Sequence, residues 1–186
     1  MSTLTSPAPQ VLILNGGLSS GKTTLAKQLQ ATLPGDWLRL GVDTLIDACP
    51  PRLLTTVGIE FAADGEVSVG PAFATIEVAW MAGLTRMAEL GMCIVIEDNF
   101  VSGPAAQARW RAALSGTSVA WVGVHCPAAE ASRREQARGD RVPGMAARQA
   151  AAVHLDIDYD VEVDTAAFAV DDNAELIRKQ FFAVDT

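Results

Sequence analysis

The string GGLSSGKT at 16–23 constrains the fold of this chain more than any other stretch. It matches G-x-x-x-x-G-K-[ST] in full. Glycines in such a loop let backbone N–H groups turn inward with no Cβ in the way. Those donors, together with the N-terminus of a following helix, form a cradle for an anion. The loop works only between a strand and a helix, and its flanks supply both: VLIL at 11–14 and TTLAKQLQATL at 23–33. Lys22 is then placed to reach the β- and γ-phosphates of a nucleotide, and the Thr23 hydroxyl to ligate Mg²⁺. The nucleotide-binding set is Gly16, Gly17, Leu18, Ser19, Ser20, Gly21, Lys22, Thr23 and Thr24. A glycine-rich turn with an incidental lysine is the plain alternative. No guanine-reading N-K-x-D string occurs, so the nucleotide predicted is ATP.

The rest of the chain alternates short apolar runs with long Ala/Leu-rich ones. The runs at 11–15, 38–43, 93–98, 119–126 and 159–165 read as strands, three of them continuous, as in a parallel sheet buried on both faces. The segments 22–33, 73–91, 104–114, 127–138 and 144–154 read as helices. The alternation predicts an α/β fold with helices on both faces of a parallel sheet. Pro34-Gly35 stops the first helix, and Pro127 starts another. The stretch 50–72 is rich in Gly, Pro and Thr and reads as a substrate-side insertion, with a hairpin around Asp64-Gly65. The length of 186 residues suits one domain over 11–186 behind a short tail at 1–10.

Composition removes several classes of function. A net charge of −8 argues against nucleic acid and against an anionic membrane surface as partners. No apolar run is long enough to span a bilayer, and the N-terminus lacks the pattern of a signal peptide. Cys49, Cys93 and Cys126 are far apart and odd in number, which fits reduced structural thiols in a cytoplasmic protein. Two histidines exclude a His-rich metal site. The later of them, His154, ends a helix and reads as a structural histidine.

Three further features carry chemistry. Asp43 falls at the carboxyl end of the second strand, on the edge of the sheet where ligands bind. A carboxylate there can accept a proton from an attacking hydroxyl, or it can cap the helix beginning TLIDA. Glu97 and Asp98 end the third strand, where a kinase holds Mg²⁺ through water; solvated strand-end carboxylates are the alternative. The segment 127–149 reverses the acidic balance with Arg133, Arg134, Arg138, Arg141 and Arg148. A basic, breakable helical hairpin suits a lid that closes over phosphates, whereas pairing with Glu130 and Glu135 would make it an ordinary solvated helix.

Taken together, ILNGGLSSGKT, WLRLGVDTLID, GIEFAADGEVSVGP, ARWR, WVGVHC, ARGDRVPGMAARQA and YDVEVDT resemble the chloramphenicol 3-O-phosphotransferase family, from about Val11 to Thr165. The resemblance implies a P-loop kinase-like three-layer sandwich with a central, mainly parallel five-stranded sheet and a helical lid. It implies transfer of the γ-phosphate of ATP to the primary hydroxyl of chloramphenicol. It carries the catalytic aspartate onto Asp43 and the loop lysine onto Lys22. The lid arginines fall among Arg133, Arg138 and Arg141, with Arg138 and Arg141 on the transferred phosphoryl group and Arg133 on the nucleotide. The acidic pair falls on Glu97 and Asp98, with Asp98 preferred. Leu18 and Ser20 depart from the family loop.

The reading is therefore an ATP- and Mg²⁺-dependent O-phosphotransferase for a small-molecule alcohol, with a homo-oligomer compatible. Its acceptor pocket would draw on Leu53, Leu54, Val57, Phe73 and Trp80. A kinase for a sugar or cell-wall precursor, or an ATP-binding regulatory module without turnover, are the alternatives.

Overall fold

The structure, a computed structural model, describes residues 8–55, 57–61, 67–138 and 144–182. Strand β1 (Val11–Asn15) is buried at every position, and helix α1 (Lys22–Thr32) leaves the glycine-rich loop directly. The chain returns through β2 (Trp37–Gly41), α2 (Val42–Ala48) and a 3₁₀ turn at Pro51–Leu53. A hairpin, β3 (Ile59–Phe61) and β4 (Val67–Val69), follows, with Ile59 opposite Val69. The strands agree with the hairpin read from sequence; its turn at Asp64-Gly65 lies outside the described residues. Then come α3 (Pro71–Glu89), β5 (Cys93–Asp98), α4 (Pro104–Ala113) and β6 (Val119–His125). Helices α5 (Ala128–Arg138) and α6 (Met145–Ala152), strand β7 (Val161–Asp164) and helix α7 (Val170–Phe182) complete it.

The main sheet has the order β2-β5-β1-β6-β7, and all four pairings are parallel. Side chains alternate between its faces. Leu12, Leu14 and Val95 meet Leu25, Ala26 and Leu29 of α1 and Ile177 of α7. Val11, Ile13, Ile94 and Ile96 meet Met81 and Leu84 of α3 and Trp110 of α4. Apolar side chains on both faces explain why these strands read as unbroken hydrophobic runs. A smaller cluster of Leu45, Ile59 and Phe73 joins α2, the hairpin and α3.

Two boundaries differ from the sequence reading. The second strand stops at Gly41, and α2 begins at Val42 with Gly41 as its N-cap. Asp43 is thus in the first turn of α2, where a carboxylate suits the helix dipole, and it does not cap the helix. Helix α7 was not anticipated. It seals the sheet through Ala174 and Ile177, and its buried Asn173 donates to Asp164 O at 3.1 Å. Among the described residues no helix is long and apolar enough to cross a membrane, and the three cysteines are unpaired, Cys126 buried and Cys49 and Cys93 half-buried.

Leu29 is fully buried between α1 and the sheet. Leu29→Ala is expected to cost about 2–5 kcal/mol. A urea unfolding curve checks this, with a lower midpoint and an unchanged slope.

Candidate active site

The loop between β1 and α1 has the backbone its sequence demands. Ser19 (φ 57°) and Gly21 (φ 93°) both adopt the left-handed conformation. Glycine takes it without strain, but at Ser19 the strain is held by the surrounding loop. Left-handed residues in succession with right-handed ones turn N–H groups to a common centre. Lys22 folds over that centre and donates to Gly16 O at 2.6 Å and Gly17 O at 2.9 Å. The Ser19 and Ser20 hydroxyls are buried and find no hydrogen-bond partner among the described residues. Buried hydroxyls in a loop of inward donors are ready partners for phosphate oxygens. Leu18 turns its side chain into a small core with Cys126, Ala131, Met145 and Ala146. Its N–H donates to Gln149 Oε1 at 2.9 Å, which ties α6 to the loop.

The acidic pair at the end of β5 is divided by strand alternation. Glu97 shares the face of Val95 and points to α1, where it accepts from Thr23 Oγ1 at 2.7 Å and from Arg39 at 2.6 Å. Asp98 shares the opposite face with Ile94 and Ile96. There it accepts from Trp110 Nε1 at 2.7 Å and from the Asn99 N–H at 2.7 Å. Burial raises the Asp98 pKa against the pull of these two donors. The sequence reading preferred Asp98 for the metal; the structure places Glu97, not Asp98, on Thr23. Among the described residues no cluster of three His, Cys, Asp or Glu side chains could hold an ion. Mg²⁺ in a kinase needs no such cluster, because phosphates and water fill most of its shell. The Thr23 hydroxyl and the Glu97 carboxylate therefore fit it.

A cleft of about 450 Å³ opens over the loop. Ser19, Ser20, Gly21, Lys22, Thr23 and Thr24 line one side of it. Arg133, Arg134 and Arg138 of α5 line the other, and Asp43 and Glu97 stand between. Gly16 and Gly17 lie behind this surface, where their carbonyls receive Lys22. Arg133 and Arg134 both bind Glu130, at 2.7 Å each, and hold its carboxyl down to about 2. Arg134 also donates to Thr165 O at 2.8 Å. Glu130 is thus a partner of the α5 arginines, as the solvated-helix reading had it. Glu135 is not: it is buried and accepts from the N–H groups of Gly144 (2.8 Å) and Ala146 (2.9 Å), capping α6. Arg141 lies outside the described residues.

A smaller pocket of about 50 Å³ adjoins the cleft, and Asp43 and Leu18 line both. Of the five apolar residues proposed for an acceptor, only Phe73 lines it. Leu53 is the buried residue of the 3₁₀ turn, and Leu54 and Val57 after it are exposed. Trp80 packs between the two clusters on the α3 side. The apolar wall comes instead from Val42 and Ile46 of α2, Val67 and Val69 of the hairpin, and Phe100 after β5. Its polar members are Asp43, Glu77, Asp98, Asn99, Ser102, Arg109 and Gln149. Arg109 reaches Glu77 at 3.5 Å; burial raises the Glu77 carboxyl while Arg109 draws it down. Sequence reasoning missed Arg39, Arg109, Arg134 and Gln149. Arg134 was visible in the arginine-rich segment, while Arg39, Arg109 and Gln149 lie inside WLRLGVDTLID, ARWR and ARGDRVPGMAARQA but were given no role there.

His154 is not among the residues lining either cavity. Its Nδ1 lies 2.7 Å from Tyr159 Oη, its ring stacks on His125 at 3.9 Å, and Asn15 Nδ2 donates to Val153 O at 2.7 Å. Burial, with His125 and Lys22 nearby, lowers its pKa to about 4.

A phosphate loop at the end of the first of five parallel strands, with an acidic strand end beside it and arginines facing it, defines the P-loop kinase fold. Solved structures agree on that fold. A Deinococcus radiodurans tunicamycin resistance protein superposes with a TM-score of 0.65 at 20% identity, covering 96% of this chain and 97% of that one. The Mycobacterium tuberculosis APS kinase, in complex with AMPPNP and APS, gives 0.62 at 13% identity, covering 96% and 100%. The chain belongs to the chloramphenicol phosphotransferase-like protein family, whose model matches residues 9–182. It is 30% identical over 190 residues to a protein of two Mycobacterium tuberculosis strains that is provisionally named an O-phosphotransferase, covering 95% of this chain and 84% of the relative. Family and fold together make the chain a phosphotransferase built on the P-loop kinase fold.

A neutral His154 in the folded state makes stability depend on pH. The unfolded chain takes up this proton near the ordinary value of 6.5, the folded chain only near 4. The unfolded state therefore binds more protons across that window, and the contribution present above pH 6.5 is lost as pH falls toward 4. The loss is on the order of 2 kcal/mol once solvent screening of this half-buried ring is allowed for. Unfolding curves of wild type and His154→Gln between pH 7.5 and about 4.5 are expected to converge as pH falls.

Proposed function

We propose that the chain transfers the γ-phosphate of ATP to the primary hydroxyl of chloramphenicol or a related amphipathic alcohol, with Asp43 as the general base. The observation that carries this reading is the position of Asp43, which lines both the cleft over the phosphate loop and the adjoining pocket. A carboxylate at that junction stands between a bound γ-phosphate and a hydroxyl presented from the pocket. It can take or orient the hydroxyl proton as the oxygen attacks. An acceptor that is itself a phosphate would need no such base.

The other parts have named roles. Lys22 leaves the Gly16 and Gly17 carbonyls for phosphate oxygens. Arg138 and Arg133 offset charge on the phosphates from the α5 side, with the Ser19 and Ser20 hydroxyls and the loop N–H groups opposite them, and Arg141, outside the described residues, keeps the role on the transferred phosphoryl group that the family resemblance implies. Mg²⁺ at Thr23 and Glu97 would supply further neutralisation of the phosphates. Catalysis here is positioning and electrostatics, since phosphoryl transfer needs little covalent help from the protein. A chloramphenicol-sized acceptor requires the small pocket to widen. The β3–β4 ribbon is the wall suited to give way, because it pairs within itself and not with the main sheet.

A second reading, a kinase for a sugar or another polar alcohol, is favoured by the polar lining of the pocket. The apolar acceptor candidates Leu53, Leu54 and Val57 do not form the pocket wall. Asp43, Asn99, Arg109 and Gln149 do line it, and they are side chains that bind hydroxyls.

Incubation with Mg-ATP and chloramphenicol, followed by mass spectrometry, is expected to show a product heavier by one phosphate. No product with chloramphenicol but one with a polyol supports the second reading. Asp43→Ala is expected to lower kcat by about 10²–10⁴-fold while ATP still binds. Full turnover in that variant would remove the base assignment. Lys22→Ala is expected to weaken nucleotide binding and transfer together, read by calorimetry and by initial rates.

A further inference from the structure

We infer that Arg39 is a positioning residue for nucleotide-bound Mg²⁺, acting through Glu97; the inference rests on the reading of Thr23 and Glu97 as the metal side of the cleft. Arg39 pairs in register with Val95. Glu97 is two residues further along β5, so the two side chains are diagonal neighbours on one face of the sheet. That face is the one covered by α1, which carries Thr23. Gly41 makes the approach of the strands feasible at this level. A Cβ at Gly41 would sit 2.5 Å from Glu97 O and 2.9 Å from Glu97 Cβ.

The three side chains form a directed chain of hydrogen bonds. Arg39 donates to Glu97 Oε1 at 2.6 Å, and Thr23 Oγ1 donates to Glu97 Oε2 at 2.7 Å. A hydroxyl that spends its one proton on Glu97 has its lone pairs left for a cation. Thr23 is therefore already oriented as a metal ligand, provided Glu97 keeps its rotamer. Glutamate has a longer side chain than aspartate and more torsions to fix. The Glu97 side chain is only 11% exposed, and the guanidinium holds its second oxygen. Arg39 itself lines the cleft. It cannot be replaced by lysine without loss, because a point charge does not fix the plane of a carboxylate as a guanidinium does.

The test needs no acceptor and no turnover. ATP binding is measured by calorimetry as Mg²⁺ is titrated, and again in EDTA, for wild type, Arg39→Met, Arg39→Lys and Glu97→Gln. Partners that orient metal ligands typically matter by about 10–100-fold, so the Mg²⁺ midpoint is expected to rise by about tenfold or more in Arg39→Met. Arg39→Lys should fall between, and ATP binding in EDTA should be unchanged in both. An unchanged Mg²⁺ midpoint in Arg39→Met, with only a lower Tm, would overturn the inference and leave a structural ion pair. An equal loss with and without Mg²⁺ would also overturn it, since Arg39 would then touch the phosphates directly. A silent Glu97→Gln would overturn the metal-side reading together with this one. A shifted Glu97→Gln beside a silent Arg39→Met would overturn this one alone.

Discussion

Parallel pairing of β1 with β5 sets Asn15 opposite Asp98, and pairing of β5 with β2 sets Gly41 opposite Glu97. Three chain segments thus leave the sheet at one level: the phosphate loop after Asn15, the first turn of α2 after Gly41, and the loop after Asp98. Every polar group of the site depends on that shared level. A slip of one residue in β5 would turn Glu97 to the α3–α4 face and bring Ile96 or Asp98 to the position beside Thr23. Packing shape opposes the slip, since Val95 on one face and Ile94 and Ile96 on the other would have to exchange layers.

Alternation also explains why two adjacent carboxylates do different work. Glu97 faces a hydroxyl and a guanidinium at the rim of the nucleotide cleft. Asp98 lies on the other side of the same strand, half-buried, where the indole N–H of Trp110 and the Asn99 backbone N–H donate to its oxygens. One is placed to meet a cation, and the other anchors α4 and shapes the floor of the small pocket. The two compartments share Leu18, Val42, Asp43 and Asn99 in their linings.

Much of the fold was legible because parallel sheets write continuous apolar runs and helices write long amphipathic ones. The five strands, the phosphate loop and the hairpin follow from such local signals. Helix α7 did not, because its short apolar stripe, Ala174 and Ile177, sits in a polar segment and gains its helix from docking on α1. The end of β2 was blurred for a similar reason: Val42 continues the apolar run although it opens a helix. For the site, Lys22, Thr23 and Asp43 carried motif or edge signals. The choice between Glu97 and Asp98 needed the facing of β5, which a one-residue uncertainty in register erases. The pocket wall was misplaced because Leu54 and Val57 are apolar yet exposed, while Arg109 and Gln149 reach the pocket from helices far along the chain.

The resting state of Lys22 has a thermodynamic consequence. Its ammonium already holds the Gly16 and Gly17 carbonyls, so the side chain gives up its rotamer freedom when the protein folds and not when the nucleotide arrives. Association exchanges two neutral acceptors for charged phosphate oxygens at nearly constant side-chain order. The gain from this lysine is therefore chiefly enthalpic, with little entropic opposition from the lysine itself.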